Sequence, residues 1–478
     1  MKTPADLIAM VKDHGISMVA LRFVDLYGHW HTLTVPASKV GEDLFVYGEP
    51  FDGSSIPGFK TTESGDMVLL PDVATATRDP FAEFPTLSVI CTVAEADTRE
   101  PFARDPRGIA RKAEKAMVDL GFADSALWGP EFEFYVFDRV RYESGVNQAG
   151  YRIESPEGYW NRHLDSDDGY GEFPAAQGGY HQTVPMDRFF DLRSQICELS
   201  EAGGYDVHYH HHEVGGPGQL EIEIEFQDTV RAGDAVMYIK YLTRNVAAQR
   251  GLIATFMPKP LYGVAGSGMH FHQFFFKNGK PVFWDETGKN YANFSTVGLH
   301  YIGGLLKHGA ALLAITNPST NSYRRLVPGF EAPVKAFFSL ANRSAAVRIP
   351  KYATTPETKR MEFRPPDATC NPYLAVAAQL MAGLDGVINK VDPTAHGFGP
   401  IDTNAFKLPA EEQAKIVSLP TSLEEAITAL RNDHEFLLRN GVFTRDMILS
   451  YCDHLYEKEV LPVKGRPHPY EFERSLHC

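Results

Sequence analysis

The 478-residue sequence contains few cysteines and lacks any long uncharged hydrophobic run. Its five cysteines are odd in number and widely scattered, without a C-x-x-C pair, which excludes a disulfide scaffold and a zinc ribbon. No apolar stretch approaches the roughly 18 residues that a membrane helix needs, so we expect no membrane anchor. Reduced thiols of this kind favour a cytoplasmic protein.

Positive charge is also scarce. Lysine and arginine together number 46 against 61 aspartates and glutamates, which gives a formal net charge of -15 at pH 7. Such a chain repels phosphate backbones and anionic lipids, so nucleic acids and membranes are not expected partners. A composition of 44% hydrophobic and 22% charged residues is typical of a globular protein and excludes the disordered and collagen-like classes.

Glycine-rich phosphate loops are absent as well. No G-x-x-x-x-G-K-[ST] motif occurs, and the segment 263–268 lacks the third glycine of the dinucleotide fingerprint. A nucleotide, if one is used, must therefore be held by metal ions and arginines. The pairs Arg324 with Arg325 and Arg343 with Arg348 supply guanidinium groups suited to phosphate or carboxylate, although surface ion pairs are the alternative.

The order of predicted elements indicates an α+β protein with two domains. Thr3, Pro4 and Asp6 predict a first helix rather than a signal peptide. Short alternating stretches then predict the strands of a small β-rich domain, at 18–23, 44–47, 67–70 and 86–93. After a charged linker, helical periodicity predicts helices over 107–120, 187–201, 228–250, 422–441 and 444–460.

Two of the strands that lie between the predicted helices carry several acidic side chains. Because side chains alternate along a strand, Glu131 and Glu133 share one face of the strand at 129–137. Glu221 and Glu223 share a face of the strand at 219–226 in the same way. The opposite faces of both strands are large and apolar. A solvated face of an antiparallel sheet is the simplest reading of one such strand.

Two further strands add histidines and another carboxylate. His270 and His272 share a face of the strand at 269–276, and Glu362 shares one with Arg364. Carboxylates about 4 Å apart repel by roughly 4 kcal/mol at an effective dielectric of 20, so a buried acidic face needs cations. Carboxylates with one imidazole per site are typical ligands of Mg²⁺ or Mn²⁺, and two such ions suit phosphoryl transfer. A metal-assisted phosphoryl-transfer site and a purely structural sheet both stay open at this point.

Longer motifs reveal a family resemblance. They are FDGSSI at 51–56, GPEFEF at 129–134, HHEV at 211–214, GSGMHFH at 266–272, NPSTNSYRRLVPGFEAP at 317–333, NRS at 342–344 and EFR at 362–364. In this order they closely resemble the motifs of bacterial (type I) glutamine synthetases, and the resemblance runs from residue 15 to the last helices.

The resemblance implies a fold and an assembly. It implies an amino-terminal β-grasp domain, residues 1–103, and a larger catalytic domain, residues 104–478, whose antiparallel sheet forms a funnel flanked by helices. Family members form homo-oligomers, dodecamers of two stacked hexameric rings, with active sites between subunits. Asp52 and Ser55 would therefore serve the site of a neighbouring subunit.

The resemblance also implies two divalent cations, Mg²⁺ or Mn²⁺, and ATP as co-substrate. The first ion would be held by Glu133, Glu213 and Glu221, and the second by Glu131, His270 and Glu362. ATP would meet His272, Arg343 and Arg348.

The amino-acid substrate would lie beside Gly266, bound by Arg325 and Arg364. Ammonium would be bound by Asp52, Ser55, Tyr180 and Glu213. The residues implied as catalytic are Asp52, Arg343 and Glu331, the last in a loop that would close over the site and exclude water.

The implied activity is that of a glutamate–ammonia ligase. ATP would phosphorylate the γ-carboxylate of glutamate, and ammonia would attack the acyl phosphate to give glutamine, ADP and phosphate. A γ-glutamyl-amine or polyamine ligase of the same fold is the nearest alternative, and a non-catalytic ring that acts as scaffold or nitrogen sensor is another. Phe406 stands where some members carry a tyrosine that is adenylylated, so we expect no such modification here.

Overall fold

The computed structural model describes residues 3–163, 173–330 and 332–478. Its strands are β1 (Met18–Val24), β2 (Trp30–Pro36), β3 (Glu49–Asp52), β4 (Asp66–Pro71), β5 (Thr77–Arg78), β6 (Thr86–Glu95), β7 (Ser125–Phe137), β8 (Arg139–Ser144), β9 (Ala149–Glu154), β10 (Val207–His212), β11 (Gln219–Ile224), β12 (Ile253–Thr255), β13 (Phe271–Lys277), β14 (Lys280–Pro281), β15 (Phe338–Leu340), β16 (Val347–Ile349) and β17 (Met361–Phe363). Its helices are α1 (Pro4–Asp13), α2 (Glu42–Tyr47), α3 (Pro106–Asp119), α4 (Phe190–Ala202), α5 (Thr229–Gln249), α6 (Thr296–Lys307), α7 (Gly309–Thr316), α8 (Ser322–Arg325), α9 (Pro372–Ile388), α10 (Ala410–Gln413), α11 (Leu423–Asn432), α12 (Glu435–Leu438), α13 (Arg445–Leu455), α14 (Leu461–Lys464) and α15 (Pro469–Ser475).

The amino-terminal sheet has the strand order β2-β1-β6-β4-β3, with β5 added beside β6. Strands β1 and β6 are parallel, and the other pairs are antiparallel. Leu21, Leu69 and Val89 of this sheet share one hydrophobic core with Leu7 and Val11 of α1. The predicted β-rich region after a first helix is therefore confirmed.

One predicted strand is wrong, because residues 44–47 belong to α2. Glu42 and Asp43 occupy the first turn, where negative charge is favourable beside the positive end of the helix dipole. Gly48 follows the last turn with a φ of 74°, a left-handed conformation that glycine adopts without strain. The four residues 44–47 are all apolar, and so short an apolar run cannot distinguish a strand from one turn of helix.

The second sheet is the larger one, and its order is β10-β11-β7-β13-β17-β16-β15. Its pairs are antiparallel except for β15 and β16, which are parallel. The apolar face of β7 and β11 packs into a core shared with α3, α5 and α9. Since helices cover that face, the alternate side chains of the same strands project to the other side. The predicted α+β fold is confirmed.

The predicted helices 107–120, 187–201 and 228–250 correspond to α3, α4 and α5. The run 422–441 is interrupted after α11, because Asp433 has extended backbone angles (φ -135°, ψ 81°), and it resumes in α12. Among the described residues, no helix is long and apolar enough to cross a bilayer.

Candidate active site

Acidic residues face one another on the central strands of the large sheet. Glu133 of β7 lies opposite Glu221 of β11, and Glu131 lies opposite Glu223. Glu133 and Glu221 are each 8% exposed and Glu223 is 6% exposed. The acidic face is therefore buried, which disfavours the reading of a solvated sheet face.

A second group gathers on β13, β16 and β17. Glu362 is fully buried and lies opposite both His272 and Arg348. Its carboxylate pairs with Arg348 and Arg364. Burial alone would raise the pKa of Glu362, but Arg364, His272 and Arg348 outweigh it and hold that pKa well below its usual value. The Nε2 atom of His272 is 2.8 Å from Oε1 of Glu131, which joins the two groups.

These strands border a cavity of about 170 Å³. All six residues predicted as metal ligands line it, as do the substrate and nucleotide arginines, Arg325, Arg343, Arg348 and Arg364. Tyr180 and Gly266 line it as well. The chain thus brings together side chains that are up to 233 positions apart in sequence, from Glu131 to Arg364.

The carboxylates of the cavity differ sharply in their affinity for protons. Burial, followed by repulsion from Glu221 and Glu133, raises the pKa of Glu213 to about 9. Burial and the surrounding carboxylates also raise the pKa of Glu221 well above its usual value. Burial would raise the pKa of Glu133 too, but a hydrogen bond and the charge of His270 lower it to about 2. Without cations, part of the cluster therefore retains protons.

The donor set fits divalent cations. Ligand atoms of Glu131, His272 and Glu362 lie within 4.8 Å of one another, and so do those of His211, Glu213 and Glu221. Within the described part of the chain, buried atoms Oε2 of Glu213 and Nδ1 of His272 have no hydrogen-bond partner. Oxygen ligands with one imidazole per group suit Mg²⁺ or Mn²⁺ better than zinc or copper.

The histidines are arranged differently from the two predicted trios. His270 lies 3.3 Å from Oε1 of Glu133, a ligand assigned to the other ion, while its Nδ1 is 2.8 Å from the carbonyl oxygen of Arg364. His272, predicted for ATP, is the imidazole beside Glu131 and Glu362. Both histidines are buried, 4% and 1% exposed respectively.

Two glycines allow the backbone to pass close to the arginines. A Cβ atom on Gly266 would lie 2.3 Å from the carbonyl oxygen of Pro258, and one on Gly268 would lie 2.4 Å from Nη2 of Arg325. The amide nitrogen of Gly268 also donates to Oε2 of Glu133, at 2.7 Å. Contacts within the chain thus already require glycine at position 266, apart from the space that the substrate is expected to need there.

Three of the predicted residues that the structure describes do not line the cavity. His272 is buried behind it, beside Glu131. Asp52, the last residue of β3, and Ser55, in the turn that follows, are both exposed. Hydroxyl groups of Ser54 and Ser55 donate to Asp52 at 2.6 and 2.7 Å, and these bonds lower the pKa of Asp52. Glu331 lies outside the described residues.

Two residues of β10 to which the sequence assigned no individual role also line the cavity. Tyr209 lies opposite Glu223, and Nε2 of His211 is 3.7 Å from Oε1 of Glu221. Strand alternation would have found both, because Tyr209, His211 and Glu213 are spaced by two residues.

Comparison with known proteins agrees with this geometry. Residues 15–96 match the model of the glutamine synthetase β-grasp domain, and residues 103–475 match that of the glutamine synthetase catalytic domain. The chain is 46% identical to the glutamine synthetase of Microchaete diplosiphon, over 100% of both chains. It is 46% identical to that of Mycolicibacterium smegmatis, over 98% of each.

Solved structures give the same result. Plasmodium falciparum glutamine synthetase, seen by cryoEM, superposes with a TM-score of 0.87 at 26% identity, covering 99% of this chain and 98% of that one. A structure titled as a GmaS/ADP complex superposes with a TM-score of 0.81 at 26% identity, covering 100% of both chains.

A β-grasp domain followed by a catalytic sheet with a buried acidic cavity defines a carbon–nitrogen ligase. The family matches cover most of the sequence, and the relatives match it over nearly its full length. The chain belongs to the glutamine synthetase family. It is an enzyme of the glutamate–ammonia ligase type, and its family uses ATP and divalent metal ions.

Proposed function

We propose that this enzyme makes glutamine through γ-glutamyl phosphate, at a site that holds two divalent cations, Mg²⁺ or Mn²⁺. The observation that carries the proposal is the convergence of carboxylates from β7, β11, β17 and the residue that follows β10 on one cavity. Four arginines line the same cavity, so both signs of charge needed to bind ATP, glutamate and cations are present.

We assign the cation ligands in two groups. The first comprises Glu133, Glu213 and Glu221, and the second comprises Glu131, His270 and Glu362. His211 and His272 are within reach as further imidazole ligands. When bound, the two ions neutralise phosphate oxygens and help to align the γ-phosphate with the glutamate carboxylate.

The arginines and His272 bind the two larger substrates. Arg325 and Arg364 hold glutamate beside Gly266, as buried guanidinium groups suited to a carboxylate. Arg343, Arg348 and His272 bind ATP, and Arg343 also stabilises charge on the phosphoryl group in transfer. No glycine-rich phosphate loop is needed for this arrangement.

The ammonium site is assigned to Asp52, Ser55, Tyr180 and Glu213. Asp52 is exposed, and its hydrogen bonds lower its pKa further, so the ionised carboxylate attracts the ammonium cation. Ammonium has no free electron pair, so Asp52 first accepts one of its protons. The resulting ammonia attacks the acyl carbon, and the bond from that carbon to the phosphate oxygen breaks to release phosphate. Glu331, which lies outside the described residues, is assigned the role of protecting the acyl phosphate from water.

Residues 52 and 55 lie outside the cavity of their own chain, which supports a site completed by a second subunit. We propose a homo-oligomer, a dodecamer of two hexameric rings, with small molecules as its other partners. The domains are residues 1–103 and 104–478. A cytoplasmic location is supported by the five cysteines, all of which are free thiols. The mass of the native assembly tests the ring count.

The decisive experiment is phosphate release from ATP with glutamate, Mg²⁺ or Mn²⁺, and a panel of ammonia, methylamine and putrescine. Turnover with ammonia alone supports the proposal. A preference for a larger amine would instead support a γ-glutamyl-amine ligase, and no turnover with any amine would support a non-catalytic ring. Product identity is read by mass spectrometry of the glutamyl product.

A further inference from the structure

A buried carboxylate outside the cavity forms hydrogen bonds with three segments of the chain that lie on one side of the cavity. Glu157 follows β9 and is fully buried. Its Oε2 atom is 2.8 Å from Nε2 of His212 and accepts a hydrogen bond from the amide nitrogen of Gly218 at 2.7 Å. Its Oε1 atom accepts from the amide nitrogen of Arg188 at 2.8 Å. One side chain thus connects three separate segments.

His212 connects Glu157 to Glu213, a residue that lines the cavity. Its ring is fully buried, and its Nδ1 atom is 3.0 Å from the carbonyl oxygen of Glu213. With one ring nitrogen at Glu157 and the other at Glu213, the imidazole has a single orientation. The side chain of Glu213 reaches the cavity from the peptide that His212 contacts.

The same peptide segment supports the turn that carries Tyr180. The carbonyl oxygen of His212 accepts from the amide nitrogen of His181 at 3.0 Å, and that of Val214 accepts from Gly179 at 3.3 Å. The packing is close, since a Cβ atom on Gly179 would lie 2.3 Å from the carbonyl oxygen of Glu213. A shift of residues 212–214 therefore moves Tyr180 as well.

We infer that Glu157 is a positioning residue: through His212 it fixes Glu213 and Tyr180 on the ammonium side of the cavity. The inference rests on the proposed function, which assigns both residues to ammonium. Glu157 does not itself line the cavity, and it acts only through its hydrogen bonds. Glu213 is also assigned to the first cation, so the test is made at saturating Mg²⁺. The arginines assigned to glutamate and ATP are not among the hydrogen-bond partners of the Glu157 carboxylate.

The test compares Glu157→Leu with Glu157→Gln in the assembled enzyme at saturating Mg²⁺. Leucine has a similar size but removes all the acceptors, so the KM for ammonia should rise about tenfold or more, while the KM values for glutamate and ATP stay within about twofold. Glutamine keeps one oxygen that can face His212 and Gly218, so it should restore much of the affinity. Exchange of labelled oxygen within ATP, in the absence of ammonia, should persist in both variants because acyl phosphate still forms.

The matched control is Asp385→Asn. Asp385 is also a buried carboxylate paired with an imidazole, with Oδ2 2.9 Å from Nε2 of His308, but it lies outside the described residues that form the cavity. The Asp385→Asn substitution should lower thermal stability without changing the ratio of the KM for ammonia to the KM for glutamate. An equal rise of all three KM values in Glu157→Leu, or an unchanged KM for ammonia, would overturn the inference.

If Glu157→Leu does not assemble, His212→Leu removes both ring nitrogens and breaks the same connection, while the bonds from Gly218 and Arg188 to Glu157 remain possible. The same selective rise is expected, and wild-type KM values would refute the positioning role. Failure of the proposed function can be distinguished from failure of the positioning role. If the proposed function were wrong, the wild-type enzyme itself would make no glutamine from ammonia.

Discussion

Glu133 and Glu221 lie directly opposite each other on the antiparallel strands β7 and β11, with both carboxylates buried. Like charges at such a pair of positions destabilise a sheet. The sheet nevertheless pairs in this register, because the opposite faces of the same strands fill the main hydrophobic core. The fold therefore tolerates this repulsion, and under the proposed function cation binding relieves it.

The first prediction concerns cations, stability and pH. The pKa of Glu213 is raised to about 9 in the folded protein, above its value in the unfolded chain. Its contribution to stability is thus complete below the unfolded pKa and is lost as pH rises toward the folded pKa. Cations bind the ionised form, so the rise in Tm on adding Mn²⁺ or Mg²⁺ should be larger at about pH 8.5 than at about pH 6.

Thermal unfolding with a chelator or with the cation checks this prediction at both pH values. Calorimetry in two buffers of different ionisation enthalpy should also show proton release on cation binding. A Tm increase that stays constant or becomes smaller with rising pH would contradict the assignment of Glu213.

The second prediction is that Glu221→Gln stabilises the metal-free enzyme but inactivates it. Burial and the neighbouring carboxylates raise the pKa of Glu221, so folding of the metal-free enzyme must either take up a proton or bury a charge at this position. Glutamine needs neither, and it should raise the free energy of unfolding by about 1 kcal/mol in the presence of a chelator. Loss of a cation ligand should lower kcat at least about a hundredfold. Glu225→Gln is the control, because Glu225 is exposed, with its Oε1 atom 2.8 Å from Nδ1 of His208, and is not among the described residues that line the cavity. A Glu221→Gln enzyme with normal turnover would refute the ligand assignment.

The third prediction separates the two chemical steps. Asp52→Ala should lower ammonia-dependent glutamine formation on the order of a hundredfold, because the anion that attracts ammonium and accepts its proton is lost. Acyl phosphate formation, followed by oxygen exchange within ATP, should change much less. Asp43→Ala, an exposed acid in α2 of the same domain, serves as control. Equal loss of both steps would count against the role of Asp52.

The fourth prediction concerns covalent modification. Phe406 lies in a short turn after Asn404 and has no phenolic oxygen, so AMP cannot be attached there. Mass spectrometry of the protein purified from its own cells should find residue 406 unmodified under both nitrogen-rich and nitrogen-poor growth. A peptide that carries AMP on residue 406 would contradict the prediction.

Much of the site could be predicted because strand alternation is local. A period of two residues places Glu131 with Glu133, and Glu221 with Glu223, whatever the rest of the chain does. The resemblance in motifs then identified the family, and the matches over nearly the whole chain agree. Short segments were less secure: residues 44–47 are a short apolar run that resembles a strand, yet they form a helix with an acidic first turn and Gly48 after its last residue.

The sequence by itself determined the family, the acidic and apolar faces of the central strands, and the identity of most residues that line the cavity. Only the tertiary structure decided which carboxylates oppose each other, which histidine lies beside Glu131, and that Glu157 anchors the segment of Glu213. The physical reason is that the register between strands and the contacts of buried side chains depend on residues far apart in the chain. Local periodicity cannot encode such contacts, since they form only when the whole core packs.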